Sequence, residues 1–308
     1  MTTNILFLLL LQILLRTSPI IAMAKSYTRP GVIAAVRLLQ HTEKESSTVS
    51  TNPLLPQLWE SIDSTYSEMI LEKGGSSLQT LDHTLTNLSK LILQRTKTNT
   101  NKNINNNDTY ITKEELLQVV AWKFAKGKPR NALKKLLHSN EETLVQSSSK
   151  AAFRSASILL QESKHPEIDV TKYIQQAMTE LCALRGVGPA TASAILCLYC
   201  PAYFSFMDDE VIECLYPCKR GYTMKIYQIV NSKCRELADI LGVGWTPYRV
   251  GRTLWTASRT CASNGKDLTL SLKDLPNHIS NARTSSSSKH VNKDSTRIRS
   301  SKRRKRSN

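Results

Sequence analysis

Acidic residues are in short supply in this chain. Its 308 residues carry 25 Asp and Glu against 42 Lys and Arg, a formal net charge of +17. That excludes an acidic surface and favours polyanionic partners. Stretches of alternating apolar and polar residues are also few, which excludes a β-sandwich or barrel. The apolar run from Asn4 to Leu15 falls short of the roughly 20 residues a membrane helix needs. A disulfide framework is not supported either. The seven cysteines (Cys182, Cys197, Cys200, Cys214, Cys218, Cys234, Cys261) are an odd number, most of them in apolar helical patterns that suit reduced, buried thiols. Cys197-x2-Cys200 followed by Cys214-x3-Cys218 has the spacing of a zinc site. The first pair, however, falls at core-facing i,i+3 positions, so no metal and no cofactor are expected.

What is present is positive charge, with a concentration at one end. Ten Lys and Arg between Arg283 and Asn308 face Asp294 alone, leaving +8 for the rest of the chain. Within this tail Lys302, Arg303, Arg304, Lys305 and Arg306 read as a nuclear localisation cluster. The other end disagrees. Asn4 to Leu15 followed by Ala22-Met23-Ala24 looks like a secretory signal without its basic start, and the sequons at Asn87 and Asn107 would matter only on that route. Use of Met23 as the start would remove the conflict, and the nucleus is the expected location.

Three regions follow. Residues 1–53 combine the signal-like start with a flexible Ser/Thr-rich segment. Residues 54–264 form an all-α domain of about nine or ten helices, and residues 265–308 a disordered basic tail. Apolar residues three or four apart mark a helix from Leu54 that Gly74-Gly75 stops, and a second from Leu78 to Leu93. The Asn-rich stretch 96–108 is expected to be a disordered loop. Thr112 and Glu115 form a capping box for the next helix, which ends at Gly127. Further helices are expected near Glu141–Ser163, Val170–Ala183, Asp208–Tyr216 and Tyr222–Leu241. Thr246 and Pro247 open the last one.

The segment from Leu184 to Ile195, "LRGVGPATASAI", stands out. Gly186, Gly188 and Pro189 do not belong inside a helix, yet both flanks are apolar and helical. A tight turn with bare amides at a helix N-terminus fits them, and such a nest binds phosphate oxygens without reading sequence. An ordinary αα-corner, with glycines for packing alone, is the alternative.

This segment, within 171–200, resembles the helix-hairpin-helix of the DNA glycosylase superfamily that includes the endonuclease III type. In that family a hydrophobe, the catalytic Asp and a short helix follow some two dozen residues later. Here that place holds Asp208, in "FSFMDDEVIECL", with Asp209 or Glu210 if the register shifts. The similarity covers about residues 171–255. "WKFAKGKPR" upstream and "LWTASR" downstream are similar to segments of an Amun-like group of animal nuclear proteins. The resemblance implies a glycosylase-like helical fold. It also implies DNA-backbone contacts from Gly186, Val187, Gly188, Ala190 and Thr191, with Asp208 to stabilise a cationic sugar or orient water after the base is flipped out. Ala190 stands where bifunctional members carry a Schiff-base lysine, which implies no lyase chemistry from the hairpin. The cysteines after Asp208 are too spread for the family's iron–sulfur loop.

Lys123, Lys126, Lys128, Arg130, Lys134 and Lys135 cluster around Gly127, with Trp122 and Phe124 between them. Exposed together, these six are candidates to track a phosphate backbone, Lys128 and Arg130 foremost, the alternative being lysines that solvate a helix surface over core aromatics; Arg249, Arg252 and Arg259 are weaker candidates. Three functions follow as expectations: a nuclear DNA-binding protein, a monofunctional DNA glycosylase, or a secreted helical protein whose hairpin is only structural.

Overall fold

The computed structural model describes residues 39, 42, 54–100, 109–161, 167–216 and 221–264. Among them there are ten helices of appreciable length and no strand. In chain order these are α1 (Leu54–Ser64), α2 (Tyr66–Thr100), α3 (Lys113–Lys126), α4 (Asn131–His138) and α5 (Glu142–Leu159). Then come α6 (Val170–Cys182), α7 (Pro189–Tyr199), α8 (Asp209–Leu215), α9 (Met224–Leu241) and α10 (Pro247–Asn264). The basic tail, Lys302 to Arg306, the signal-like start and Cys218 lie outside the described residues.

Local chemistry sets the helix ends. Thr112 caps α3 through the Glu115 amide while Glu115 reaches back, which satisfies two of the unpaired donors at that end. Thr223 caps α9 and Thr246 accepts from the Arg249 amide at the start of α10. Gly74 and Gly75 break the 66–100 span into two helical parts, Gly75 at φ +63°. One boundary differs from expectation. The second part continues to Thr100, into the Asn-rich stretch, because no Gly or Pro occurs between Gly75 and Gly127 to stop it. Residues 101–108 lie outside the described residues.

Helix α7 runs through the middle. Its residues from Ala190 to Tyr199 are all buried, against α6, α2 and α3. Side chains such as Ile195 and Leu196 contribute about 1.5–3 kcal/mol each by leaving water. Phe153 of α5 stacks on Tyr199 at 4.3 Å between ring centroids. At the other side, α1 meets α10 through Asp63. Arg249 Nε and Arg252 Nε donate to its two oxygens at 2.9 Å each, and Thr253 adds a third donor. Burial alone would raise the Asp63 pKa, but the bonds and charges of Arg252 and Arg249 outweigh it and hold it below the usual value.

Candidate nucleic-acid interface

The Gly-Val-Gly turn joins α6 to α7. Gly186 adopts φ +79°, closed to most L side chains, and sits tightly on α4. A Cβ there would lie 3.1 Å from Leu136 Cβ and 3.1 Å from Leu137 Cγ. Gly188 is different: its backbone is extended, and a Cβ on it would meet nothing within 4 Å. One glycine therefore shapes the turn, and the other leaves its surface open.

The amides divide the same way. Val187 N–H donates to Leu184 O and Thr191 N–H to Gly188 O, so these two close the turn. Among the described residues no acceptor faces the N–H of Gly188 or Ala190. Pro189 has no N–H to offer. The Gly186 N–H likewise has no acceptor among the described residues, so three of the five hairpin positions keep an unpaired amide, two of them (Gly188 and Ala190) at the start of α7, where the helix dipole adds partial positive charge. Val187 contributes a buried side chain and Thr191 a buried wall rather than amides.

Asn140, which the sequence reading passed over, holds the hairpin in place. Its side chain accepts from the Arg185 amide and donates to the Arg185 carbonyl, both at 2.9 Å, and also donates to Leu137 O. A buried amide satisfied on both sides clamps the loop to the end of α4.

The hairpin forms one wall of a cleft of about 320 Å³. A second wall is Phe206, Met207, Asp208 and Asp209; the third comes from Lys123, Lys128, Arg130 and Tyr222. Two side chains fix the acidic wall. Ser193 of α7 accepts from the Met207 amide at 3.0 Å and donates to Ala190 O, tying this segment to the hairpin helix. Asn231 of α9 holds the segment upstream through Ser205 N–H and Tyr203 O.

Asp208 is the N-cap of α8, its Oδ1 accepting from the Asp209 amide at 2.9 Å. Its Oδ2 accepts from Lys126 Nζ at 2.8 Å. Both partners are almost wholly buried, with the Lys126 side chain 4% exposed and that of Asp208 7%. Asp209 is half-buried and accepts from the Tyr222 hydroxyl. Arg130 lies over the Tyr222 ring, 5.1 Å from its centroid, at the rim.

The basic segment splits. Lys128, Arg130, Lys134 and Lys135 are exposed. Lys126 is not: its ammonium lies over Trp255 at 4.2 Å, and over Trp122, Phe206 and Tyr66 at 5.2 to 5.9 Å. Trp122 and Phe124 are buried, so they are core rather than stacking platforms. Lys126 is thus corrected from a surface phosphate contact to the counter-ion of Asp208. The signal was there, since Glu115, Val119, Trp122 and Lys126 lie on one stripe of α3 and all are buried. The three weaker arginine candidates are also taken: Arg249 and Arg252 by Asp63, and Arg259 by Glu210. Glu210, the other acid near Asp208, is therefore an ion-pair partner in the core.

Of the seven cysteines, Cys197, Cys200, Cys214 and Cys234 are buried and free. Burial pushes the Cys200 and Cys234 thiols up to about 12. Among the described residues no group of three or more His, Cys, Asp or Glu is arranged to hold a metal ion, and no helix is long and apolar enough to cross a membrane.

Compared with protein-family profiles, with curated proteins and with solved structures, the chain matches none of them.

Proposed function

We propose that this is a nuclear DNA-binding protein of glycosylase-like helical fold that grips the duplex backbone with the turn between α6 and α7. One observation carries the reading. The unpaired amides of Gly188 and Ala190 at the start of α7 belong to residues lining the same cleft as Lys123, Lys128 and Arg130. A phosphate oxygen there meets hydrogen-bond donors, a helix N-terminus and cations together. The net charge of +17 supplies the long-range attraction, and the basic tail, Lys302 to Arg306, is the proposed nuclear signal.

A second reading is favoured by the position of Asp208 and Asp209 on the wall facing the hairpin. Carboxylates beside a bound backbone suit hydrolysis of an N-glycosidic bond, with the flipped nucleotide in the cleft. Asp208 spends its oxygens on Lys126 and on the α8 amide. Its contribution would be fixed negative charge rather than proton transfer.

The experiment is binding of the full chain to labelled duplex across a salt series, together with assay of free base released from damaged duplex. Binding that weakens with salt and survives in Asp209→Asn, without base release, supports the first reading. Base release that disappears in Asp208→Asn, in protein shown to be folded, supports the second. A chain that binds no duplex at low salt contradicts both.

A further inference from the structure

Helix α4 adds little to the core. Of its eight residues only Leu137 is buried, and among the described residues α4 packs along no other helix. Its seat is the hairpin turn. Gly186 is pressed against Leu136 and Leu137, and Asn140, just past the end of α4, bonds both the amide and the carbonyl of Arg185. The helix is thus fixed to the turn that carries the proposed phosphate grip. One buried leucine is a weak reason for keeping it there.

What α4 and its approach present to water is positive charge and N–H donors. From Gly127 to Asn140 the chain carries Lys128, Arg130, Lys134, Lys135 and His138, and no Asp or Glu. All five are exposed, and among the described residues none has a carboxylate within ion-pair distance. Arg249, Arg252 and Arg259, by contrast, are tied to Asp63 and Glu210.

Three of the five recur at a spacing of four: Arg130 at the N-cap, then Lys134 and His138. Residues four apart share one face of a helix, so the three form a stripe. Arg130 lines the cleft. The stripe therefore starts at the cleft and runs about 12 Å along α4, at 1.5 Å per residue. One strand of a duplex offers a phosphate about every 3.4 Å of its axis, so a stripe of this length faces about three of them.

We propose that this stripe is a second backbone contact, with Lys134 and His138 holding phosphates of the duplex beyond the one gripped at the hairpin. It rests on the DNA-binding reading and extends that reading from the cleft to a helix outside it. Lys134 supplies charge, and His138 supplies an N–H donor in either protonation state. Gly186 and Asn140 hold α4 against the hairpin, so the two contacts keep a constant spacing and one strand can meet both.

The test is the affinity of the full chain for labelled duplex across a salt series, measured for wild type, for Lys134→Gln with His138→Gln, and for Lys90→Gln. Lys90 is the control. It is exposed on α2, next to Ser89, which donates to Leu198 O at the end of α7 away from the hairpin. Its replacement removes one positive charge without touching the stripe. The α4 double variant is expected to bind about fivefold more weakly or worse, with a log–log salt slope shallower by about 1 and an unchanged Tm, since both side chains are exposed. Lys90→Gln is expected to follow the wild-type curve. The loss should also recur in a Gly188→Asp background, because two separate contacts contribute independently. An unchanged slope in the double variant, an equal loss in Lys90→Gln, or no further loss in the Gly188→Asp background would each overturn the stripe and leave the hairpin contact standing. Absence of duplex binding by the wild type would instead remove the reading beneath it.

Discussion

Lys126 Nζ lies 2.8 Å from Asp208 Oδ2, with both side chains almost wholly buried and the ammonium set against the Trp255, Trp122 and Phe206 rings. Two opposite charges this far from water are stable together and costly apart. Lys126→Met should therefore cost about 3–5 kcal/mol by stranding the Asp208 carboxylate. The double variant Lys126→Met with Asp208→Asn should recover most of it, since neither remaining group is charged. Urea unfolding of the two single variants and the double variant measures this as a coupling energy. Additive costs would mean that the two residues act independently.

The two glycines of the hairpin should respond oppositely to the same change. Gly186→Ala forces a Cβ into a positive-φ position and toward Leu136 and Leu137, so a loss of about 1–3 kcal/mol is expected. Gly188→Ala meets open space on an extended backbone and should stay within about 0.5 kcal/mol of wild type. Thermal unfolding of both variants checks the pair, and equal losses would show that Gly188 is packed rather than open.

Acid should unfold the protein partly through Asp63. Its folded pKa lies below the unfolded value of about 3.9, so its contribution is complete above that pH. The contribution is lost as pH falls below 3.9 through the depressed folded pKa. Glu115 behaves alike: burial raises its pKa, but Arg95 and the Thr112 amide bring it below normal. Unfolding free energy measured from pH 6 to pH 2 should stay level at first and then drop. Asp63→Asn should be less stable at pH 6 and should show a shallower drop.

Thiol chemistry should be slow in the folded state. The Cys182 thiol is pushed up to about 11 and those of Cys200 and Cys234 to about 12, so little thiolate exists near neutrality. Alkylation at pH 8 followed by peptide mapping should leave Cys197, Cys200, Cys214 and Cys234 unmodified until denaturant is added. Rapid labelling of Cys197 or Cys200 would mean that α7 is not the closed core helix described above.

Helices were the legible part of this sequence, because caps and apolar spacing are local. Thr112 with Glu115, Thr246 with Pro247, and Gly74-Gly75 each act within one or two turns. Their positions follow without knowledge of distant contacts. The end of α2 was missed because an Asn-rich composition weakens a helix without stopping one. The convergence of the hairpin, Asp208 and the 123–130 segment on one cleft is long-range, and only the hairpin-to-acid spacing hinted at it. Lys126 was misread because charge alone says surface, whereas its stripe on α3 said core. Nor is Gly-Val-Gly diagnostic in itself. The same tripeptide at 242–244 joins α9 to α10 with φ of +83° and +87° at its glycines, and its turn closes through Trp245 N–H to Gly242 O. What distinguishes the first hairpin from the second is the cleft that it lines.

The most direct test of the account is duplex affinity over a salt series for wild type and Gly188→Asp. The tail and every surface cation are common to both proteins, and the substitution fits open space, so any difference belongs to the hairpin. The account predicts at least tenfold weaker binding by Gly188→Asp with an unchanged Tm. It also predicts a log–log salt slope shallower by about 1, because the added carboxylate cancels one of the positive charges that displace counterions from the duplex. Superimposable binding curves for the two proteins would contradict it.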